Sequence, residues 1–123
     1  MKNIKIPVIA LLFVSTIGCE AQKRDGVKVL SPQEATAMLA EDELTLIDVR
    51  TPEEFAEGHI EGAQNINFLN VNFKVQMQQL DKEKPVYIYC RSGNRSAKAA
   101  EKLQEMGFQK IYDIEGDILN WEG

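Results

Sequence analysis

Hydrophobic and polar positions change along the chain in a way that predicts short strands separated by helices. Apolar, β-prone runs bounded by polar or turn-forming residues predict five strands. These runs cover residues 28–30, 43–49, 64–67, 86–89 and 110–114. The run "VYIY" at 86–89 is short and almost entirely apolar, which predicts a buried central strand.

Two segments between these strands begin with the same helix-start signal. In "SPQE" from Ser31 and "TPEE" from Thr51, a hydroxyl residue is followed by proline and then, at the third position after itself, by glutamate. The hydroxyl caps free N–H groups of the first turn, and the glutamate reaches back to the capping residue. The first helix is expected to extend to residue 42, and the second to end after two turns at Gly58.

Two later segments also predict helices. In residues 70–80, apolar side chains fall at roughly helical spacing, at Val71, Val75, Met77 and Leu80. Residues 96–107, "SAKAAEKLQEMG", combine strong helix formers with one apolar face and a final glycine. Strands alternating with helices predict an α/β fold with three layers: a mostly parallel central sheet of about five strands, with helices on both faces.

The first residues do not fit that domain and have the pattern of an export signal. Two lysines precede an uncharged apolar stretch that ends in Gly18 and Cys19. The stretch is shorter than the roughly 20 apolar residues of a membrane span. A cysteine after a small residue resembles a bacterial lipoprotein signal, in which the cysteine is lipidated, although Thr16 stands where leucine is usual. The alternative is an ordinary export signal or uncleaved anchor in which Cys19 is incidental.

These features predict a signal peptide at residues 1–18, a tether at 19–26 and one domain at 27–123. The protein is then expected in the cell envelope, on the periplasmic side or at the cell surface, held to a bacterial membrane by lipid on Cys19. The 123 residues carry a formal net charge of −5. This acidic balance argues against nucleic acid as a partner. No metal-ligand spacing or nucleotide fingerprint occurs in the sequence, so no cofactor is expected.

The stretch "YCRSGNRS" carries the strongest chemical signal. Cys90 ends the predicted central strand, and ligands of parallel sheets bind beyond the carboxyl ends of the strands. The connection from Arg91 to Arg95 comes before a helix, where backbone N–H groups form an anion site and Gly93 permits unusual backbone angles. Helix N-termini and nearby arginines favour the thiolate, which is the nucleophile. The alternative is a buried structural cysteine followed by a surface turn.

The length of this connection distinguishes two chemistries. Cysteine phosphatases place five residues between the cysteine and an arginine that is followed by serine or threonine, which makes a loop wide enough for phosphate. Here four residues separate Cys90 from Arg95, and Ser96 follows. The tighter loop suits a smaller group, such as a sulfane sulfur carried on Cys90.

The same stretch resembles the active-site loop of single-domain rhodaneses. "LIDVRTPEEFAEGHIEGAQNIN" is similar to the family's first signature, and "GDILNWEG" to its closing segment, in which Glu115 replaces the first of two usual glycines. The resemblance covers about residues 27–123. It implies a rhodanese-like fold and a thiosulfate or persulfide sulfurtransferase. Cys90 would carry the sulfur, taken from a small sulfur-donor anion and passed to a thiol or to cyanide. The loop residues would bind it, namely Arg91, Ser92, Gly93, Asn94 and Arg95.

Other residues have secondary roles in this interpretation. The resemblance implies that Asp48 and Arg50 brace the loop; otherwise they are a capping acid and a surface base. His59 is expected in a structural turn rather than as a general base, and Trp121 in packing. Two other functions stay open: a rhodanese-like sulfur carrier or redox-sensing module with little turnover, and a cysteine phosphatase or arsenate reductase. The sequence names no protein partner.

Overall fold

The computed structural model of the protein describes residues 23–24, 26–40 and 44–116. The predicted signal peptide, Cys19 and Trp121 lie outside these residues. The strands within them are β1 Lys23–Arg24, β2 Val27–Leu30, β3 Thr45–Asp48, β4 Gln64–Asn65, β5 Val86–Tyr89 and β6 Ile111–Ile114. The helices are α1 Pro32–Leu39, α2 Pro52–Glu57, α3 Phe73–Met77 and α4 Asn94–Glu105. Helix and strand alternate from β2 to β6, as the sequence predicts.

The strands form one sheet in the order β1-β2-β6-β5-β3-β4. All neighbours pair in parallel except β1 and β2. The five parallel strands confirm the predicted α/β fold. Strand β5 lies between β3 and β6, with Tyr89 in register with Asp48 on one side and Ile114 on the other. All four residues of β5 are buried, so the prediction of a buried central strand is confirmed.

Side chains alternate across β5 and divide the core into two layers. Val86, Ile88 and Cys90 belong to the layer that contains buried residues of α3 and α4. Tyr87 and Tyr89 belong to the opposite layer, which contains Ala35 of α1 and Ile60. Consecutive strand residues point to opposite faces, and therefore Cys90 faces α4 whereas Tyr89 faces away from it.

Both predicted capping boxes are present. Ser31 accepts from the N–H of Glu34 and, in return, its own N–H donates to the Glu34 carboxylate. Thr51 and Glu54 make the same reciprocal pair at the start of α2. Each box satisfies N–H groups that the first helical turn leaves without intrahelical partners.

Several local features differ from the sequence prediction. Helix α1 ends at Leu39 rather than at residue 42, and α4 begins at Asn94 rather than at Ser96. Lys23 and Arg24, within the predicted tether, pair with β2 as an antiparallel edge strand. Helix α3 has only five residues, and it buries Phe73 and Met77. Three apolar side chains in and before this helix are exposed: Leu69 at 63%, Val71 at 94% and Val75 at 55%. Helical spacing therefore indicated a helix here but not its buried face. In the described part of the chain, no helix has the length and apolar character to cross a membrane.

Candidate active site

Cys90 lies directly after β5, beneath the N-terminus of α4, and is almost completely buried. Two backbone N–H groups donate to its sulfur, from Gly93 at 3.0 Å and from Ser96 at 3.3 Å. The thiol in turn donates to the Ser96 hydroxyl at 3.4 Å. When the thiol is deprotonated, the hydroxyl proton of Ser96 can rotate towards the sulfur. All three groups then stabilise negative charge at one point.

The backbone conformation of Gly93 makes this convergence possible. Gly93 caps α4 with φ of 90°, in the left-handed region that favours glycine. Helix α4 begins at Asn94, so Ser96 belongs to the first turn, where N–H groups lack an intrahelical acceptor. One of these free N–H groups points at Cys90, and the helix dipole adds partial positive charge there.

Arg95 is held by a carboxylate from a different part of the chain. Its guanidinium donates from Nη1 to Glu54 Oε1 at 2.7 Å and from Nη2 to Glu54 Oε2 at 3.1 Å. The hydrogen bond from Arg95 lowers the pKa of Glu54 from 4.5 to about 2, and the same bond raises the pKa of Arg95. Glu54 is also the glutamate of the α2 capping box. One carboxylate therefore connects the start of α2 with the first turn of α4.

The remaining predicted loop residues are at the surface. Arg91, Ser92 and Asn94 are exposed. Within residues 44–116, Gly93 and Ser96 supply the N–H groups that reach the sulfur. We refer to residues 90–96 as the Cys90 loop. Its outer rim thus consists of polar side chains, and its inner wall consists of backbone N–H groups.

Asp48 and Arg50 form a buried ion pair at the carboxyl end of β3. The Arg50 guanidinium makes a bidentate contact with the Asp48 carboxylate, with a shortest distance of 2.6 Å from Nη2 to Oδ2. Neither residue is more than 2% exposed, which rules out a surface base. The hydrogen bond to Asp48 raises the pKa of Arg50.

Within the described residues, this pair contacts the surroundings of the Cys90 loop, and its role in bracing the loop stays a prediction. Arg50 Nη2 also donates to the Gly58 carbonyl at 2.6 Å, and its guanidinium carbon lies 5.8 Å from the centre of the Tyr89 ring. The Tyr89 hydroxyl accepts from the N–H of Ile60 at 3.1 Å. Burial raises the pKa of Tyr89, so it stays a neutral phenol. The pair therefore holds Tyr89, the residue before Cys90, against the connection that follows α2 at residues 58–60.

Comparison with known proteins is consistent with this geometry. A family model described as "Rhodanese-like domain" matches residues 31–123. The chain belongs to the rhodanese family.

Two curated relatives cover most of the chain. It is 34% identical over its whole length to "Uncharacterized protein YqhL" of Bacillus subtilis, with 95% of that protein covered. It is 35% identical over 92 residues to "Thiosulfate sulfurtransferase GlpE" of Tolumonas auensis, covering 75% of this chain and 85% of that one. Among solved structures, a rhodanese-like domain protein from Staphylococcus aureus aligns with a TM-score of 0.68 and 31% identity. That alignment covers 77% of this chain and 91% of the other.

His59 contacts the end of helix α2, whereas Ser96 contacts the Cys90 sulfur. The His59 ring stacks on Phe55, with centroids 3.6 Å apart, and its Nδ1 lies 2.8 Å from the Phe55 carbonyl. His59 therefore lies in the connection between α2 and β4 and contacts α2, and its expected structural role stays a prediction. Ser96 was absent from the predicted site residues, although its N–H and hydroxyl both contact the sulfur. Its position three residues after the capping Gly93 is the signal that places it in the first helical turn. Within the described residues, no group of three metal-ligating side chains occurs.

Proposed function

We propose that this rhodanese-family protein is a sulfurtransferase that carries a sulfane sulfur on Cys90. The observation that carries the proposal is the convergence of the Gly93 and Ser96 N–H groups on the Cys90 sulfur. Such preorganised donors stabilise negative charge where it develops during reaction. The similarity to a protein named thiosulfate sulfurtransferase adds support.

The reaction divides into two displacements at sulfur. In the first, the Cys90 thiolate attacks the outer sulfur of the donor, the donor's S–S bond breaks, and its electron pair leaves with sulfite or with a thiolate. Cys90 then holds a persulfide whose outer sulfur is anionic. In the second, a thiol or cyanide attacks that outer sulfur, and the electron pair returns to Cys90 as a thiolate. No external oxidant or reductant is consumed.

Thiosulfate or a persulfide is the proposed donor, and a thiol or cyanide is the proposed acceptor. Four residues between Cys90 and Arg95 make a loop suited to one sulfur atom, which disfavours phosphate or arsenate chemistry. A sulfur carrier or redox-sensing module with little turnover is the second candidate, because a nearly buried thiol suits storage of a persulfide as well as its transfer.

We also propose that the protein is exported and anchored to a bacterial membrane by lipid on Cys19. The support is the sequence pattern of residues 1–19. Several acyl chains on one cysteine satisfy the requirement for more than one membrane signal. Detergent-phase partitioning tests this proposal, since Cys19→Ala should move the protein to the aqueous phase; equal partitioning of both forms would contradict it.

Mass spectrometry of the Cys90 peptide after thiosulfate treatment tests the proposed function. We expect the mass of one added sulfur, removed by cyanide with release of thiocyanate. Cys90→Ser should take up no sulfur and keep its fold, because the hydroxyl is nearly isosteric but cannot form a persulfide. A folded Cys90→Ser variant with wild-type thiocyanate release would refute the persulfide route. Sulfur uptake from a persulfide without thiocyanate turnover would favour the carrier.

A further inference from the structure

The Cys90 loop contains two arginines, but they differ in electrostatic environment. Arg95 makes two hydrogen bonds to the Glu54 carboxylate, and both side chains are about one quarter exposed. Arg91 is exposed, and among residues 23–24, 26–40 and 44–116 it has no carboxylate partner. The charge of Arg95 is therefore compensated at short range, whereas no carboxylate of the described residues compensates that of Arg91.

The carboxylate of Glu54 is fixed in this position by more than Arg95. Its Oε1 also accepts from the Thr51 N–H at 3.0 Å and from the Thr51 hydroxyl at 3.1 Å. A carboxylate with these donors remains ionised throughout the neutral range, in keeping with its pKa of about 2. Glu54 is thus a permanent negative charge beside the loop that must receive an anion.

The two classes of sulfur donor differ in charge. Thiosulfate brings two negative charges to the Cys90 thiolate, and sulfite carries two away. The persulfide of a small neutral thiol brings one charge, and a thiolate carries one away. The repulsion between the donor and the Cys90 thiolate is therefore larger for thiosulfate. How far the loop offsets it depends on how much of the arginine charge is not already paired with a carboxylate.

Resting on the proposed sulfurtransferase function, we propose that Glu54, from helix α2, determines which sulfur donor the Cys90 loop prefers. By compensating Arg95, it leaves Arg91 as the one cation of the loop that pairs with no carboxylate of the described residues, and it favours singly charged persulfide donors over doubly charged thiosulfate. The role is electrostatic and acts through Arg95.

Charge variants give a test in which the sign of the effect is decisive. Glu54→Gln keeps an amide oxygen for the capping box, which accepts Gln as well as Glu, and it frees the charge of Arg95. Arg95→Gln leaves the Glu54 charge without compensation. The double variant returns the pair to zero charge. Glu53→Gln is the matched control, because Glu53 is the exposed neighbour on the same helix turn.

The first measurement is the ratio of kcat/KM for thiosulfate to that for 2-mercaptoethanol persulfide, with sulfur uptake followed at the Cys90 peptide. Glu54→Gln should raise the ratio about tenfold. This factor corresponds to the lower end of the energy range of one hydrogen bond to a charged group. Arg95→Gln should lower it by a similar factor. The double variant and Glu53→Gln should stay near the wild-type ratio.

The second measurement needs no sulfur transfer. It is the ratio of alkylation rates at Cys90 for iodoacetate, an anion, and iodoacetamide, a neutral reagent, which cancels differences in access. Glu54→Gln should raise this ratio and Arg95→Gln should lower it. If these shifts appear but the wild-type protein accepts no sulfur, the proposed function fails while the charge assignment of Glu54 stands. The role of Glu54 would be overturned if the two single variants leave both ratios unchanged. It would also be overturned if Glu54→Gln and Arg95→Gln shift a ratio in the same direction as each other.

Discussion

Two carboxylate–arginine pairs lie near the Cys90 loop and differ in their exposure to water. Asp48 and Arg50 are at most 2% exposed, whereas the Glu54 and Arg95 side chains are about one quarter exposed. Both pairs are bidentate, and both include one contact shorter than 2.8 Å. The two pairs therefore have similar geometry. They differ in how much stability the protein loses when one residue of the pair is removed.

That difference separates a fixed pair from an adjustable one. A buried charge without its partner is strongly destabilising, whereas an exposed charge is resolvated when its partner is removed. Asp48 and Arg50 hold Tyr89, at the end of β5, and the connection at Gly58. Glu54 and Arg95 lie on the rim of the site, where a change in charge alters electrostatics with little effect on the fold.

The largest expected effect is the loss of the Arg50 charge. Arg50→Met should lower the free energy of unfolding by about 3–5 kcal/mol, because the Asp48 carboxylate stays buried without its cation. Urea denaturation followed by circular dichroism measures this loss. Arg91→Met, which removes an exposed arginine, should change stability by no more than about 0.5 kcal/mol.

A second substitution identifies the cause of that loss. Asp48→Asn in the Arg50→Met background removes the uncompensated charge and should restore at least about 1 kcal/mol of the lost stability. If the double variant is no more stable than Arg50→Met, the loss came from packing of the Arg50 stem rather than from charge.

A smaller effect is expected for the exposed pair. Glu54→Gln and Arg95→Gln should each reduce the free energy of unfolding by about 1 kcal/mol or less, and a double-mutant cycle should give a coupling energy of about 0.2–1 kcal/mol. The cycle uses the same urea denaturation, with Glu53→Gln as the control. A coupling energy as large as the loss in Arg50→Met would contradict the distinction between the pairs.

The smallest expected effect is a dependence on pH. The pKa of Glu54 is lowered from 4.5 to about 2 in the folded protein. A group with a lowered folded pKa stabilises the protein above its unfolded pKa, and this contribution is lost as the pH falls. The stability difference between the wild type and Glu54→Gln should be constant above about pH 5 and shrink as the pH falls from 4.5 towards 2. A difference that grows on acidification would mean that the sign of the shift is wrong.

The elements that local sequence determines were predicted well. The hydroxyl–proline–glutamate pattern at Ser31 and Thr51 gave both helix starts, because capping contacts span only three residues. The apolar run before Cys90 gave the central strand, and the predicted position of Cys90 at its end follows from strand direction alone.

Contacts between distant segments were not accessible in the same way. The pairing of Glu54 with Arg95 joins residues 41 positions apart, so the sequence revealed only the capping role of Glu54. The buried face of α3 depends on the turn that orients the helix. Phe73 is buried, unlike Val71 and Val75, and its ring packs edge-to-face against Phe68. Periodicity cannot fix the orientation of a helix of five residues.

The position of β5 in the sheet also has a consequence for the order in which the protein is made. Its neighbour β3 precedes it in the chain, but its other neighbour, β6, is the last strand that the structure describes. Synthesis runs from the N-terminus, so β5 keeps one open edge until residues 111–114 are present. A chain that terminates before Ile111 would present β5 as an edge strand, with unpaired N–H and C=O groups available to other chains. We therefore expect a chain that ends before Ile111 to aggregate rather than to complete the sheet around Cys90.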